Sequence, residues 1–194
     1  MNTHDFTGQV ALVTGGASGI GEACVMTFAR GGANVAIVDV NTQLGEKSAA
    51  VRRLGHDAIF LDVDVSNPAA VQKMVADTIA AFGRLDIAVN NAGIGGELNP
   101  TGAYSIDGWR RVIDVNLNSV FYCMRYEILH MLHRGKGSIV IMSSILGSVG
   151  FANSAAYVAA KHGLVGFTKA AALEYGKQGI RINSVGPAFI QRRS

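Results

Sequence analysis

The sequence predicts the α/β class, a doubly wound parallel sheet in three layers (α/β/α), and three observations carry that prediction. First, Thr14-Gly15-Gly16-Ala17-Ser18-Gly19-Ile20-Gly21 follows a short apolar run, Val10–Val13, and opens a helical pattern that closes near Gly31. Second, four apolar runs alternate with three helical patterns over the first half of the chain, an order that demands right-handed parallel crossovers. Third, the 194 residues are 49% hydrophobic, include 24 glycines and are only 16% charged, a balance suited to one compact domain rather than to a disordered or fibrous chain.

The glycine turn joins a strand to a helix. Glycines at 15, 19 and 21 are expected to take positive backbone dihedrals and to admit a ligand close to the backbone. The following helix, Ile20–Arg30, with apolar residues at 20, 24, 25 and 28, turns unpaired N–H groups and its positive end toward an anion such as a dinucleotide pyrophosphate. The spacing Thr-Gly-xxx-Gly-x-Gly differs from Gly-x-Gly-x-x-Gly, and either form also occurs as a tight turn with no ligand. Asn34–Asp39 is a short apolar strand with an acid at its C-terminal end, at the distance from the glycines where Rossmann-type folds place a ribose-binding carboxylate.

Gln43–Leu54 reads as a polar surface helix and Ala58–Leu61 as the third strand, which leads into Asp62-Val63-Asp64-Val65. Pro68 opens a helix with apolar residues at 71, 74, 75, 79 and 82, and Gly83 closes it. Leu85–Val89 is the fourth strand and runs into Asn90-Asn91-Ala92-Gly93. Residues Ile94–Tyr104, with three glycines and a proline, form a loop beyond the C-terminal edge of the sheet, where such sheets bind ligands. A long helical segment, Ile106–Leu132, carries Asn116 among apolar residues, either as a local backbone cap or as a functional amide. Ser138–Met142 is the fifth strand, followed by Ser143-Ser144; Ala155–Tyr175 is a long Ala/Gly-rich helix; Ile182–Val185 is the sixth strand, leading to Gly186-Pro187.

The formal charge of +3 comes from scattered basic residues with no aromatic interleaving, which argues against a nucleic-acid surface. Cys24 and Cys123 fall within helical patterns and lack metal-ligand spacing, so they read as reduced, buried thiols; no metal site is expected. No signal core and no apolar run of membrane-spanning length is present, and the expectation is a soluble cytoplasmic protein with no membrane or nucleic-acid partner.

Tyr157 and Lys161, four residues apart on one helix, share a face. A nearby ammonium favours the phenolate, so Tyr157 fits a general base, while Ser144 at a strand end places a hydroxyl beside a substrate oxygen. The alternative for Tyr157 is a packing aromatic. Taken together, Thr14-Gly15 with Gly19 and Gly21, Asn90-Asn91-Ala92-Gly93, Asn116, Ser144, Tyr157-xxx-Lys161 and Gly186-Pro187 resemble the short-chain dehydrogenase/reductase family in order and spacing across nearly the whole chain.

The resemblance implies NAD-dependent interconversion of a secondary alcohol and a ketone by hydride transfer. It implies Tyr157 as acid/base, Ser144 holding the substrate oxygen, Lys161 binding the nicotinamide ribose and lowering the tyrosine pKa, and Asn116 supporting a proton-relay water. Around the cofactor it places Thr14, Gly15, Ser18, Gly19, Ile20 and Gly21 at the glycine turn, Asp64 and Val65 near adenine, Asn91, Ala92 and Gly93 near the adenosine ribose, and Pro187 and Ile190 toward the nicotinamide. Asp39 favours NAD over NADP, because Ala17, Ser18, Val40 and Asn41 offer no cation for a ribose phosphate. Small residues on the last helix, Gly163, Gly166 and Ala170, together with Leu173, either let a second subunit approach closely or pack inside one subunit; the resemblance implies the first, a homodimer or homotetramer. Two departures stand out: Pro187-Ala188 where the family has Pro-Gly, and Gln191-Arg192-Arg193-Ser194 where a threonine is common. The chain is also expected to be truncated, as a seventh strand and substrate-covering helices usually follow. Two other outcomes therefore stand beside the enzyme: a nucleotide-binding fragment without turnover, and a noncatalytic oligomer-forming domain.

Overall fold

The computed structural model describes residues 4–42, 50–52 and 55–190. Six parallel strands, β1 (Val10–Thr14), β2 (Asn34–Asp39), β3 (Ala58–Asp62), β4 (Ile87–Asn90), β5 (Gly137–Met142) and β6 (Ile180–Val185), form one sheet in the order β3-β2-β1-β4-β5-β6. The helices are α1 (Gly19–Arg30), α2 (Pro68–Phe82), α3 (Ile106–Ile113), α4 (Ser119–Arg134) and α5 (Ala155–Tyr175). The central strands β1, β2 and β4 are buried on both faces, which is why they read as unbroken apolar runs, whereas on the edge strand β6 Arg181 and Asn183 are exposed. Along β1 the side chains alternate between two cores: Ala11 and Val13 pack with Val25 and Ala29 of α1, whereas Leu12 packs with residues of α2, α4 and α5.

Local chemistry sets the helix ends. Pro68 starts α2 behind Asn67, whose side-chain oxygen accepts from the N–H groups of Ala69 (3.0 Å) and Ala70 (3.3 Å); Gly83, at φ +74°, stops it. The expected Ile106–Leu132 helix is not uniform. A π turn, Asp114–Asn118, separates α3 from α4 and places Asn116 in the core with none of its surface exposed. Strand ends differ from the sequence reading by one to two residues: β4 runs Ile87–Asn90 rather than Leu85–Val89, and β6 begins at Ile180. The surface helix expected over Gln43–Leu54 lies outside the described residues, apart from 50–52, which are helical.

The strand order reverses between β1 and β4, which leave the sheet in opposite directions through their following helices. A crevice opens at that switch point, beyond the carboxyl ends of the strands. The motifs singled out above follow the C-terminal ends of strands, except Asn116, which the π turn supplies, and the Tyr157/Lys161 pair, which α5 delivers from the side.

Candidate active site

The glycine turn has two separate reasons for its glycines. Gly15 and Gly19 have φ of +61° and +56°, the left-handed region that glycine enters without penalty. Gly21 does not share that conformation. It lies in α1, and its requirement is space: a Cβ there would sit 1.9 Å from the Gly15 carbonyl oxygen and 2.7 Å from the Asn91 amide nitrogen. At Gly19 a Cβ would meet nothing within 4 Å, so the turn is open on its outer side. Ser18 caps α1 with its backbone while its exposed hydroxyl makes no capping bond. Unpaired N–H groups, a free hydroxyl and open space at the positive end of α1 fit a pyrophosphate.

The turn is tied to the end of β4. The Thr14 hydroxyl oxygen accepts from the N–H of Asn91 (3.0 Å) and of Ala92 (3.1 Å), and the Asn91 amide donates to the carbonyls of Thr14 (3.0 Å) and Gly15 (3.1 Å). Asn116 extends this scaffold. Its oxygen accepts from the Ile94 N–H (2.7 Å) and its amide donates to the Ile94 carbonyl (2.8 Å), so both ends of its side chain are spent on holding the loop after β4. Asp39, half-buried at the end of β2, accepts from the N–H of Ala17 (3.1 Å) and of Asn41 (3.1 Å), one bond to each carboxylate oxygen. The carboxylate is thereby fixed beside the glycine turn with further lone pairs facing the cleft.

At the other end of the cleft, Lys161 is buried, with its Nζ 5.5 Å from the centre of the Tyr157 ring and donating to the Met142 carbonyl (2.7 Å). Burial lowers the pKa of this ammonium to about 8. The Ser143 hydroxyl donates to the Lys161 carbonyl (3.1 Å), locking α5 against the end of β5. Ser144 follows in extended backbone, its hydroxyl oxygen accepting from the Leu146 N–H (3.2 Å). Pro187 closes this side, its carbonyl accepting from the Ile145 N–H (2.9 Å).

One continuous cleft of about 2330 Å³ runs along the strand ends, several times the roughly 300–1,000 Å³ of a site for one small ligand, and so of a size for a dinucleotide together with a substrate. It brings together Gly15, Ser18, Gly19 and Ile20 at the turn, Asp39, Asp64 and Val65 at one end, Asn91–Gly93 in the middle, and Ser144, Tyr157, Lys161, Pro187 and Ile190 at the other. Thr14, Gly21 and Asn116 do not line it; they lie beneath and shape it. Residues 191–194, where the family commonly has a threonine, lie outside the described residues.

Sequence reasoning did not single out Ser143 or Glu127. The second had a signal, since Cys123, Met124, Glu127, Ile128 and Met131 form the buried stripe of α4 and only Glu127 among them is ionised in water at neutral pH. Both cysteines are free, Cys24 half-buried and Cys123 buried. Among the described residues, no helix is long and apolar enough to cross a membrane.

Residues 9–193 match the family model described as short chain dehydrogenase. The chain is 46% identical over 190 residues to the cyclohexanol dehydrogenase of Acinetobacter sp. (strain SE19), covering 97% of this chain and 76% of that protein. It is 44% identical over 188 residues to a 2,5-dichloro-2,5-cyclohexadiene-1,4-diol dehydrogenase of Sphingobium indicum (strain DSM 16412 / CCM 7286 / MTCC 6364 / B90A), covering 96% and 74%. The crystal structure of an NAD+-bound xylitol dehydrogenase superposes with a TM-score of 0.94 at 32% identity, over 97% of this chain and 73% of that one.

Proposed function

The chain belongs to the short-chain dehydrogenase family, which uses a nicotinamide cofactor, and on that footing we propose that it interconverts a ring-bearing secondary alcohol and its ketone with NAD. The observation that carries the proposal is the convergence of Ser144, Tyr157 and Lys161 on the cleft that also contains the glycine turn. The nicotinamide ring supplies the hydride acceptor or donor. Tyr157 takes the alcohol proton, or returns it to the ketone oxygen. Ser144 donates a hydrogen bond to that oxygen from its extended position at the end of β5. Lys161, anchored on Met142, keeps two N–H groups for the nicotinamide ribose and sets its ammonium beside the Tyr157 ring. Asn116 acts by fixing Ile94, and the loop it holds borders the substrate space.

Asp39 supports NAD over NADP, since a phosphate on the adenosine ribose would meet its negative charge. Asp64 and Val65 flank the adenine end, Asn91–Gly93 the adenosine ribose, and Pro187 and Ile190 the nicotinamide end. Two relatives named above act on cyclic alcohols, and the exposed side chains that line the cleft include the apolar Leu98, Ile145, Phe151 and Phe189 beside the charged Asp107, Arg110 and Arg111. The apolar members of that lining support a ring-bearing substrate. Exposed Phe121 and Leu129 on α4, and Gly166, Ala170 and Leu173 on α5, support a homodimer or homotetramer built on these helices, and the free cysteines support a cytoplasmic setting.

The experiment is an NADH fluorescence titration followed by turnover of a panel of cyclic secondary alcohols with NAD, repeated for Tyr157→Phe. The phenylalanine retains the ring, so cofactor affinity is expected to survive while turnover falls by about 100-fold or more, the scale of general acid–base loss. An undiminished rate in Tyr157→Phe refutes the assignment. NADH binding with no turnover of any alcohol would leave a nucleotide-binding module.

A further inference from the structure

Glu127 is the one carboxyl on the buried stripe of α4; its side chain is fully buried, and the side chain that meets it, Asn90 at the end of β4, is only 2% exposed. The Asn90 amide donates to Glu127 Oε2 (3.0 Å). The two remaining oxygens, Glu127 Oε1 and Asn90 Oδ1, are buried and have no partner. A carboxylate here would hold a full negative charge in an apolar core with a single hydrogen bond and no cation, one of the least favourable arrangements a protein interior can adopt. One proton changes this. A neutral carboxyl and a primary amide already joined through one N–H···O contact can close a second, O–H···O contact between the atoms left over. We infer that Glu127 is held as the neutral acid and closes a two-point clip with Asn90, making it a positioning residue for the Asn91–Gly93 turn that follows directly in the chain and lines the cleft. The bonds from Asn91 and Ala92 to Thr14 then pass that constraint to the glycine turn.

The surroundings fit a neutral group. On the elements packed against α4, α2 faces the core with Val71, Met74, Val75 and Thr78 and keeps its Lys73–Asp77 pair at the surface. Asp86, just ahead of β4, is engaged by Arg84 and Arg134. β5 carries no titratable side chain, and on β6 Arg181 is exposed. Asp114 of the π turn is exposed and accepts from Asn118; on α5, Lys161 is bonded to Met142. On α4 itself, Arg125 and His133 are exposed, His130 accepts from the Leu85 N–H, and the phenols of Tyr122 and Tyr126, with Tyr175 of α5, border the same core. Cys123, one turn away, is neutral as well, its thiol pushed well up by burial. Burial likewise raises the Glu127 carboxyl to about 7, against the smaller lowering effect of the Asn90 bond.

Infrared difference spectroscopy of the whole chain between pH 6 and pH 9 reads the proton directly. A protonated-carboxyl C=O band present at pH 6, lost at pH 9 and missing from Glu127→Gln is the expected result. Gln reproduces the shape and the donor of the neutral acid, so melting of the wild type should fall relative to Glu127→Gln as pH rises from 5 to 8, by about 5 °C for a shift of this size in a chain of this length. The sign follows from linkage: the folded state holds the proton from the ordinary glutamate range up to about 7, so raising the pH through that window favours the unfolded state. Over the same range NADH affinity of the wild type should weaken several-fold relative to Glu127→Gln, which a purely local packing role would not produce. Asn90→Ala removes both contacts of the clip at once, so its protonated-carboxyl C=O band should move to the higher frequency of an acid without those hydrogen bonds, and this second variant serves if Glu127→Gln does not fold; an unmoved band would overturn the clip. No band at pH 6, or a melting difference that does not change with pH, overturns the inference. The positioning role rests on the proposed nucleotide site: absence of NADH binding in every variant would refute that reading, and the role with it, while the infrared band still decides the protonation state.

Discussion

Replacing Gly21 by alanine separates the spatial role of that glycine from the conformational role of Gly19. In α1 the backbone of Gly21 is helical, and helix propensity alone would reward alanine by about 1 kcal/mol. Against this, the new Cβ would lie 1.9 Å from the Gly15 oxygen and 2.7 Å from Asn91 Nδ2, so either α1 or the turn has to move by more than an ångström. Overpacking of this kind costs about 1–3 kcal/mol, and disturbing the two Asn91 amide bonds adds about 0.5–1.5 kcal/mol each. The net expectation is a loss of roughly 2–4 kcal/mol, a drop of about 5–10 °C in melting temperature for a domain of this size. Gly19→Ala meets no atom within 4 Å and bears only the left-handed strain, about 1–2 kcal/mol, so its melting temperature should fall less. Its methyl projects into the open side of the turn, where phosphate is proposed to sit, and NADH affinity should fall more than stability does. Circular-dichroism melts and NADH titrations of both variants check this. A Gly19→Ala protein that melts below Gly21→Ala, or a Gly21→Ala protein within about 2 °C of wild type, would refute the steric assignment.

Asp39→Asn keeps an acceptor for the Ala17 N–H but removes the charge; the wild type should bind NADH more tightly than NADPH, and the variant should narrow that gap by about 10-fold, the lower end of what a charged hydrogen bond contributes. Equal or tighter NADPH binding by the wild type would sink the cofactor assignment. Lys161 loses its proton near pH 8 in the folded protein but near 10.5 when unfolded, so between those values the unfolded chain binds more protons and stability rises with pH. Relative to Lys161→Met, the wild type should therefore gain about 1 kcal/mol per pH unit across that window, read from denaturant melts at fixed pH, and a difference that stays constant would contradict the burial of an otherwise unpaired ammonium.

The fold was legible because a doubly wound sheet repeats one local rule. The strands from β1 to β4 are short apolar runs, those at the centre buried on both faces, each helix has a stripe or a terminator, and the pattern alternates from Val10 to Asp39 to Asn90. The cleft residues were legible for a related reason. A parallel sheet directs all its strands the same way, so motifs that follow strands in sequence gather on one edge in space whatever their separation in the chain. What stayed hidden were demands set by a partner far away in sequence. Gly21 carries no sequence mark that distinguishes the need for space from the need for a positive φ; the Asn91 amide, seventy residues on, and the Gly15 carbonyl it holds above Gly21 do. Asn116 reads as a polar residue in an apolar helix, and the π turn that swings it onto Ile94 follows from a pairing 22 residues away.

The same distinction bears on how the site holds its shape. Thr14, Asn91 and Asn116 satisfy backbone groups with side chains, so the turn after β1, the turn after β4 and the loop after that are one hydrogen-bonded unit rather than three adjacent loops. Loops of this length would otherwise be among the first segments to open, since local stability follows buried contacts and protected hydrogen bonds. That unit rests on the ends of β1 and β4 and on the π turn, and behind the end of β4 stands the Asn90–Glu127 contact. Ser144, by contrast, is placed by the main chain of Pro187 and by Ser143 reaching Lys161, a second set of bonds that shares no residue with the first. A change at Glu127 should therefore disturb cofactor binding before it disturbs the geometry around Tyr157, whereas a change at Ser143 should act in the reverse order.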